Sequence, residues 1–152
     1  SDFYTGPENT GTNRGFRNVY DTTLLLTPSD KVNAYVNFDY GTNKSYTGSQ
    51  GATAAWYGIA AAAKVQMTGK TALTPRIEWF KDRDGFQTGV AQSVKEFTIT
   101  YEYRWVEGLL ARLEYRRDWS DQKFFLKGAT HVPSDHQDTL ALGGVAYFGP
   151  TR

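Results

Sequence analysis

The ionisable side chains of this chain recur at every second position, and that spacing decides what chemistry they can do. In 93–105 (SVKEFTITYEYRW), Glu96, Thr98, Thr100, Glu102 and Arg104 share one parity, while Lys95, Phe97, Ile99, Tyr101, Tyr103 and Trp105 share the other. In 109–119, Arg112, Glu114, Arg116 and Asp118 alternate with Leu109, Ala111, Leu113 and Tyr115. In 71–82, Arg76, Glu78 and Asp82 oppose Leu73, Pro75, Ile77 and Trp79, and Lys64 opposes Ala63 and Val65. A strand sends successive side chains to opposite faces, so each segment carries a charged face and an apolar one. Rows of charge around a lumen set ion selectivity. In a narrow barrel the same rows pair with each other and fill the interior. With Asp21 and Asp39 the charged face carries eight acids against five bases, Lys64, Arg76, Arg104, Arg112 and Arg116. A water-filled lumen built on it is expected to prefer cations mildly.

Other chemistry finds little support. A pair of carboxylates spaced for glycoside hydrolysis can be drawn in many places, and nothing singles one out. Asp82-Arg83-Asp84-Gly85 has a loose look of a calcium loop but lacks its distal Glu, and an Asp- and Gly-rich turn is the simpler reading. His131 and His136 stand five apart with Asp121 and Asp135 nearby, and reach one metal only if their loop folds them together. No nucleophile elbow, phosphate loop or HExxH motif is present. No catalytic residue, metal ligand or cofactor is therefore assigned, and an enzyme is not expected. Formal net charge is +1, with Lys and Arg interleaved among Asp and Glu, so no nucleic acid partner is expected. There is no cysteine, which excludes disulfides and thiolate metal sites.

Strands must position these rows. Mean hydropathy is −0.55, and no run of about 18 apolar residues exists to make a transmembrane helix. That is compatible with a membrane barrel, whose strands show lipid only every second residue. Seven clear strands are expected, at 18–27, 31–41, 54–67, 71–82, 93–105, 109–119 and 137–148. Each is about as long as a tilted strand needs to cross the hydrocarbon layer. Thr27-Pro28-Ser29-Asp30, Thr68-Gly69-Lys70 and Val106-Glu107-Gly108 are expected as tight turns. Long polar loops near 42–53, 83–92 and 120–136 alternate with them. Short turns at one rim and long loops at the other fit an all-β, antiparallel up-and-down transmembrane β-barrel, with short turns and C-terminus periplasmic and long loops extracellular.

Aromatics near strand ends, Tyr40, Trp56, Tyr57, Trp79, Tyr101, Tyr103, Trp105, Tyr115, Trp119, Tyr147 and Phe148, are expected to form interfacial girdles rather than a stacking platform for sugars or bases. Phe80 is anomalous, because its parity points inward. The first clear strand runs away from the long-loop rim, and seven strands leave an open edge that lipid forbids. Ser1 to Thr5 is read as the stub of a preceding strand. The chain is thus expected to be part of a larger barrel: the C-terminal part of a longer one, a processed product, or a wall completed by another chain. Its partners are the bilayer and those completing strands.

Three groups of residues carry a family resemblance: Phe3-Tyr4-Thr5-Gly6-Pro7-Glu8-Asn9; Pro75-Arg76-Ile77-Glu78-Trp79-Phe80 with Asp82-Arg83-Asp84-Gly85-Phe86; and Leu113-Glu114-Tyr115-Arg116-Arg117-Asp118. They resemble the OmpL-like β-barrel porins, across the whole chain and in the C-terminal half of such proteins. The resemblance implies a Gram-negative outer-membrane barrel and a passive channel for small hydrophilic solutes or ions. Family members are longer, and they offer no catalytic residue to carry over. Two other readings stay open. One is a plugged structural barrel whose loop 120–136, with Phe124, Phe125 and Leu126, binds a partner or lipid. The other is a soluble barrel with its apolar faces turned inward around an apolar ligand.

Overall fold

Runs in which Val, Ile, Thr, Tyr and Phe alternate with polar residues favour extended backbone, and stretches rich in Gly, Asn and Asp break them. The computed structural model describes residues 1–44, 52–128 and 131–148. It contains β1 (Asp2–Pro7), β2 (Phe16–Ser29), β3 (Val32–Lys44), β4 (Thr53–Gln66), β5 (Thr71–Asp82), β6 (Gln92–Val106), β7 (Leu109–Ser120), β8 (Phe125–Lys127), β9 (Val132–Ser134) and β10 (His136–Ala146). There is no helix among the described residues.

Eight strands form one antiparallel sheet in the order β1-β2-β3-β4-β5-β6-β7-β10, so each pairs with its neighbours in sequence. The seven expected segments are β2–β7 and β10, and the N-terminal stub is β1. β1 covers only Phe16 to Asp21 of β2, leaving Thr22 to Ser29 unpaired on that side. β1 and β10 do not pair with each other among the described residues, so the sheet is open rather than a closed barrel. The connection 121–135 is not simply a loop: it carries the hairpin β8–β9, with Phe125 opposite Ser134. Of the expected loop 42–53, residues 42–44 belong to β3, and 45–51 lie outside the described residues.

Turn chemistry sets the short-turn end. β2 continues through Thr27-Pro28-Ser29, and the turn falls one step later, on Asp30-Lys31. The register shifts between Leu26 and Ser29, and Pro28, which has no N–H to donate, sits in that bulge. Glu107-Gly108 closes β6–β7 with Gly108 at φ +84°, and Trp105 is the extra residue of a second bulge. Pro75 is a different case, because β5 is a central strand. The β4–β5 ladder runs to Ala62 opposite Arg76 and resumes at Val65 opposite Leu73, so it is interrupted where proline supplies no donor.

The burial pattern is inverted relative to a soluble domain. Buried polar residues include Glu96, Thr98, Glu102 and Asp118, whereas the buried hydrophobics are Ala55, Trp56, Ala60, Ala72 and Phe125. On the opposite face of the same strands, Ile77 is 60% and Ile59 is 44% exposed. The chain exposes 10454 Å², where a compact soluble monomer of its mass would expose roughly 7,800 Å². The second sheet, the hairpin β8–β9, meets the start of β10, and no helix covers either face among the described residues. The polar side chains are therefore buried by one another, as happens when a face is concave. Their reach agrees: Lys64 of β4 pairs with Glu102 of β6, and Arg76 of β5 donates to Tyr35 of β3, each skipping a strand.

Candidate functional site: the ion-paired concave face

Antiparallel register stacks the charged positions into rows across the strands. Glu78, Glu96 and Asp118 face one another on β5, β6 and β7. In the adjacent row stand Arg76, Thr98 and Arg116. Like charges directly opposite repel, and here a carboxylate row is matched by a guanidinium row one step along the strands. Arg76 donates to Glu96, to Glu78 and to the Tyr35 hydroxyl. Arg116 grips Asp118 with Nε and Nη2, at 2.8–3.0 Å, and lies 3.7 Å from Glu96. Thr98 adds a hydroxyl donor to Glu96, at 2.5 Å.

Toward the short turns the pattern continues. Glu102 receives Lys64 and Arg112, the latter at 2.7 Å, and Glu114 accepts from Thr100 at 2.7 Å. Arg104 is exposed at that end, beside the Trp105 bulge, and forms no ion pair among the described residues. Toward the edge strand, Asp21 and Asp39 stand opposite each other, with the Asn37 amide donating to Asp21 at 2.8 Å. An open cleft of about 490 Å³ lies between Tyr35, Asn37, Asp39, Ala60, Arg76 and Glu78. Partly exposed pairs contribute about 0–1 kcal/mol each. Their larger role is to satisfy carboxylates such as Glu96, whose side chain is 4% exposed and would be costly to leave unpaired.

Asp82 is fully buried and works on the backbone. Its carboxylate accepts from the amides of Phe86, Gln87 and Thr88, at 2.7–2.9 Å, and from the Thr88 hydroxyl, at 2.9 Å. This shapes the connection 83–91, and those oxygens are committed to the turn. Asp84 accepts from the Ala55 amide at 2.8 Å and from Arg83 at 3.0 Å, which holds its carboxyl below the ordinary value. His136 engages Lys127 and Asp135 through its two ring nitrogens, and Asp135 is lowered by that contact. His131, with φ +52°, sits in the β8–β9 turn. No group of three or more metal-ligating side chains forms among the described residues.

The aromatic assignments divide. On the apolar face Phe3, Tyr20, Tyr40 and Tyr57 form one row across four strands. Trp79 and Trp119 flank Lys95 in the next row, and Trp79 meets Tyr57 edge to face at 5.4 Å. Tyr101, Tyr103 and Trp105 mark the short-turn half of β6. Trp56 does not belong with them. It points to the concave face, 6% exposed, with its indole over Gly41. Tyr115 is not at a strand end either: it faces Ile99 at the middle of β6 and sends its hydroxyl to Asp138 at 2.7 Å. Tyr147 and Phe148 lie beyond β10. Phe80 needs no bulge, because its ring lies against Gly58 directly opposite on β4.

A model of the family described as "Putative beta-barrel porin-2, OmpL-like" matches residues 1–148. The chain belongs to this porin family. No curated protein and no solved structure matches it significantly. The sheet of successive antiparallel neighbours is consistent with membership of this porin family. Uncharged residues of the same face, Tyr35, Asn37, Thr98 and Gln137, were given no role by alternation and complete its hydrogen bonds.

Proposed function

We propose that the chain forms wall of an outer-membrane β-barrel that passes small hydrophilic solutes or ions. The observation that carries this is the inversion of burial: paired charges fill the concave face, while the convex one exposes chiefly Leu, Ile, Phe and Tyr, its charges, Lys95 and the Arg117–Asp138 pair among them, lying in the long-loop half. Water disfavours such a convex face, and lipid favours it. From Ser93, in the row of Tyr57 and Lys81, to Tyr103, β6 rises about 34 Å. At a tilt of about 40° that spans about 26 Å, close to the apolar band of an outer-membrane barrel. A soluble barrel holding an apolar ligand would need the faces reversed. The long connections are then extracellular and the short turns periplasmic. The edges at β1 and β10 require further strands, because unpaired backbone cannot face hydrocarbon.

A plugged interaction barrel is the second reading, favoured by Leu126 and Val132, which are 61% and 56% exposed on the hairpin of the β7–β10 connection. Reconstitution of membrane-isolated protein into a planar bilayer separates the two. Discrete ohmic steps are expected. Persistent silence from protein shown to be inserted refutes the channel and leaves the plugged barrel.

A further inference from the structure

The polar face is not open along its whole length. Trp56 of β4 lies over Gly41 of β3 so closely that a Cβ there would meet the indole at 2.1 Å. Phe86, from the connection after β5, stacks on Trp56 with centroids 5.3 Å and planes 14° apart. Arg17 of β2 places its guanidinium 5.3 Å from the Phe86 ring centroid. A residue that follows β5 therefore meets a side chain from β2, and the segment leans back across β4 and β3 on the concave side. Its shape is fixed by Asp82, whose charge is met by three backbone amides and a hydroxyl. Arg17 is held by Asn43 at 3.2 Å and forms no ion pair among the described residues.

We infer that loop 83–91 is the constriction of the pore at its long-loop mouth. Arg17, stacked on Phe86, is the charge that a permeating solute must pass. This rests on the channel reading above and names its specificity element: the mouth disfavours cations even though the wall beneath it is richer in acids. An uncompensated charge at the narrowest point weighs more on permeation than paired charges along a wide wall.

The test uses the full chain, which has no native cysteine. Single-channel current in a salt gradient is compared for the wild type, Phe86→Ala and Arg17→Glu. In parallel, an Arg17→Cys/Phe86→Cys double variant is treated with a short bis-maleimide. Insertion and β-sheet circular dichroism must match the wild type. The proposal expects efficient cross-linking, a roughly two-fold higher unit conductance for Phe86→Ala, and a reversal potential shifted toward cations for Arg17→Glu. An absent cross-link, or unchanged conductance and reversal potential in conducting variants, overturns it. Silence of every variant with the cross-link formed overturns the channel reading, and the pore-limiting role with it, while still fixing the position of the loop.

Discussion

Glu96 and Asp118 stand directly opposite each other on β6 and β7, and Arg116 joins them, 3.7 Å from one and bidentate on the other. Two buried carboxylates in register repel, so the guanidinium is what makes this pairing of strands tolerable. Arg116→Met should lower stability in lipid vesicles. Removing one partner of a fully buried pair costs about 3–5 kcal/mol. The Arg116 side chain is 46% exposed, so water screens part of the effect and about 1–3 kcal/mol is expected. Urea unfolding followed by tryptophan fluorescence measures it, and a change indistinguishable from zero contradicts the charge-row account.

Neighbouring residues on β10 test the faces. Leu140 lies in the mid-strand row of Ile99 and Tyr115, while Ala141 faces Glu114. Leu140→Arg should cost about 2–4 kcal/mol, the price of a midplane charge facing lipid. Ala141→Arg should be tolerated, since it meets a carboxylate. Equal folding yields for the two variants in vesicles contradict the assignment.

The connection 83–91 depends on one carboxylate. Asp82→Ala removes the acceptor for three consecutive amides, at Phe86, Gln87 and Thr88. Limited trypsin treatment of folded protein should cut after Arg83 in the variant and spare the wild type. Equal protection contradicts the role given to Asp82.

Asp84 adds a pH-dependent latch. Its pKa is lowered chiefly by the Ala55 amide and further by Arg83, against the cost of desolvation. A carboxylate with a folded pKa below its unfolded one stabilises the fold above the unfolded value, and that contribution is lost as pH falls through the lowered one. The window therefore lies below about pH 4. Pepsin should cut near Phe86 more slowly in the wild type than in Asp84→Asn at about pH 5, and the difference should narrow at about pH 2. A constant ratio at both pH values contradicts the latch.

The strands and their faces were legible because a period of two admits no ambiguity once one face is apolar. Every expected charge except the rim residue Arg104 takes part in the network of the polar face or its adjoining loop, or, like Asp39, stands opposite a member. The loop fold was not legible. Asp82 binds backbone amides, which leave no side-chain signature, and Asp82-Arg83-Asp84-Gly85 therefore looked like an ordinary turn or a fragment of a metal loop. Trp56 was misplaced because Trp56-Tyr57 reads as one aromatic pair, although adjacent residues must face opposite ways. The signal that places it is Gly41, on another strand and visible only through register. Register also moves Tyr115 to mid-strand. It shows Thr98 as well, a hydroxyl directly between Arg76 and Arg116.

Paramagnetic accessibility of single spin labels, placed one at a time from Glu96 to Tyr103 in vesicle-inserted protein, tests the central claim most directly. The account predicts strict alternation: labels at 96, 98, 100 and 102 collide with a water-soluble nickel chelate, and labels at 97, 99, 101 and 103 collide with membrane-dissolved oxygen. The reverse alternation, or equal access of the chelate to both sets, would contradict a polar concave face turned to water and an apolar convex face turned to lipid.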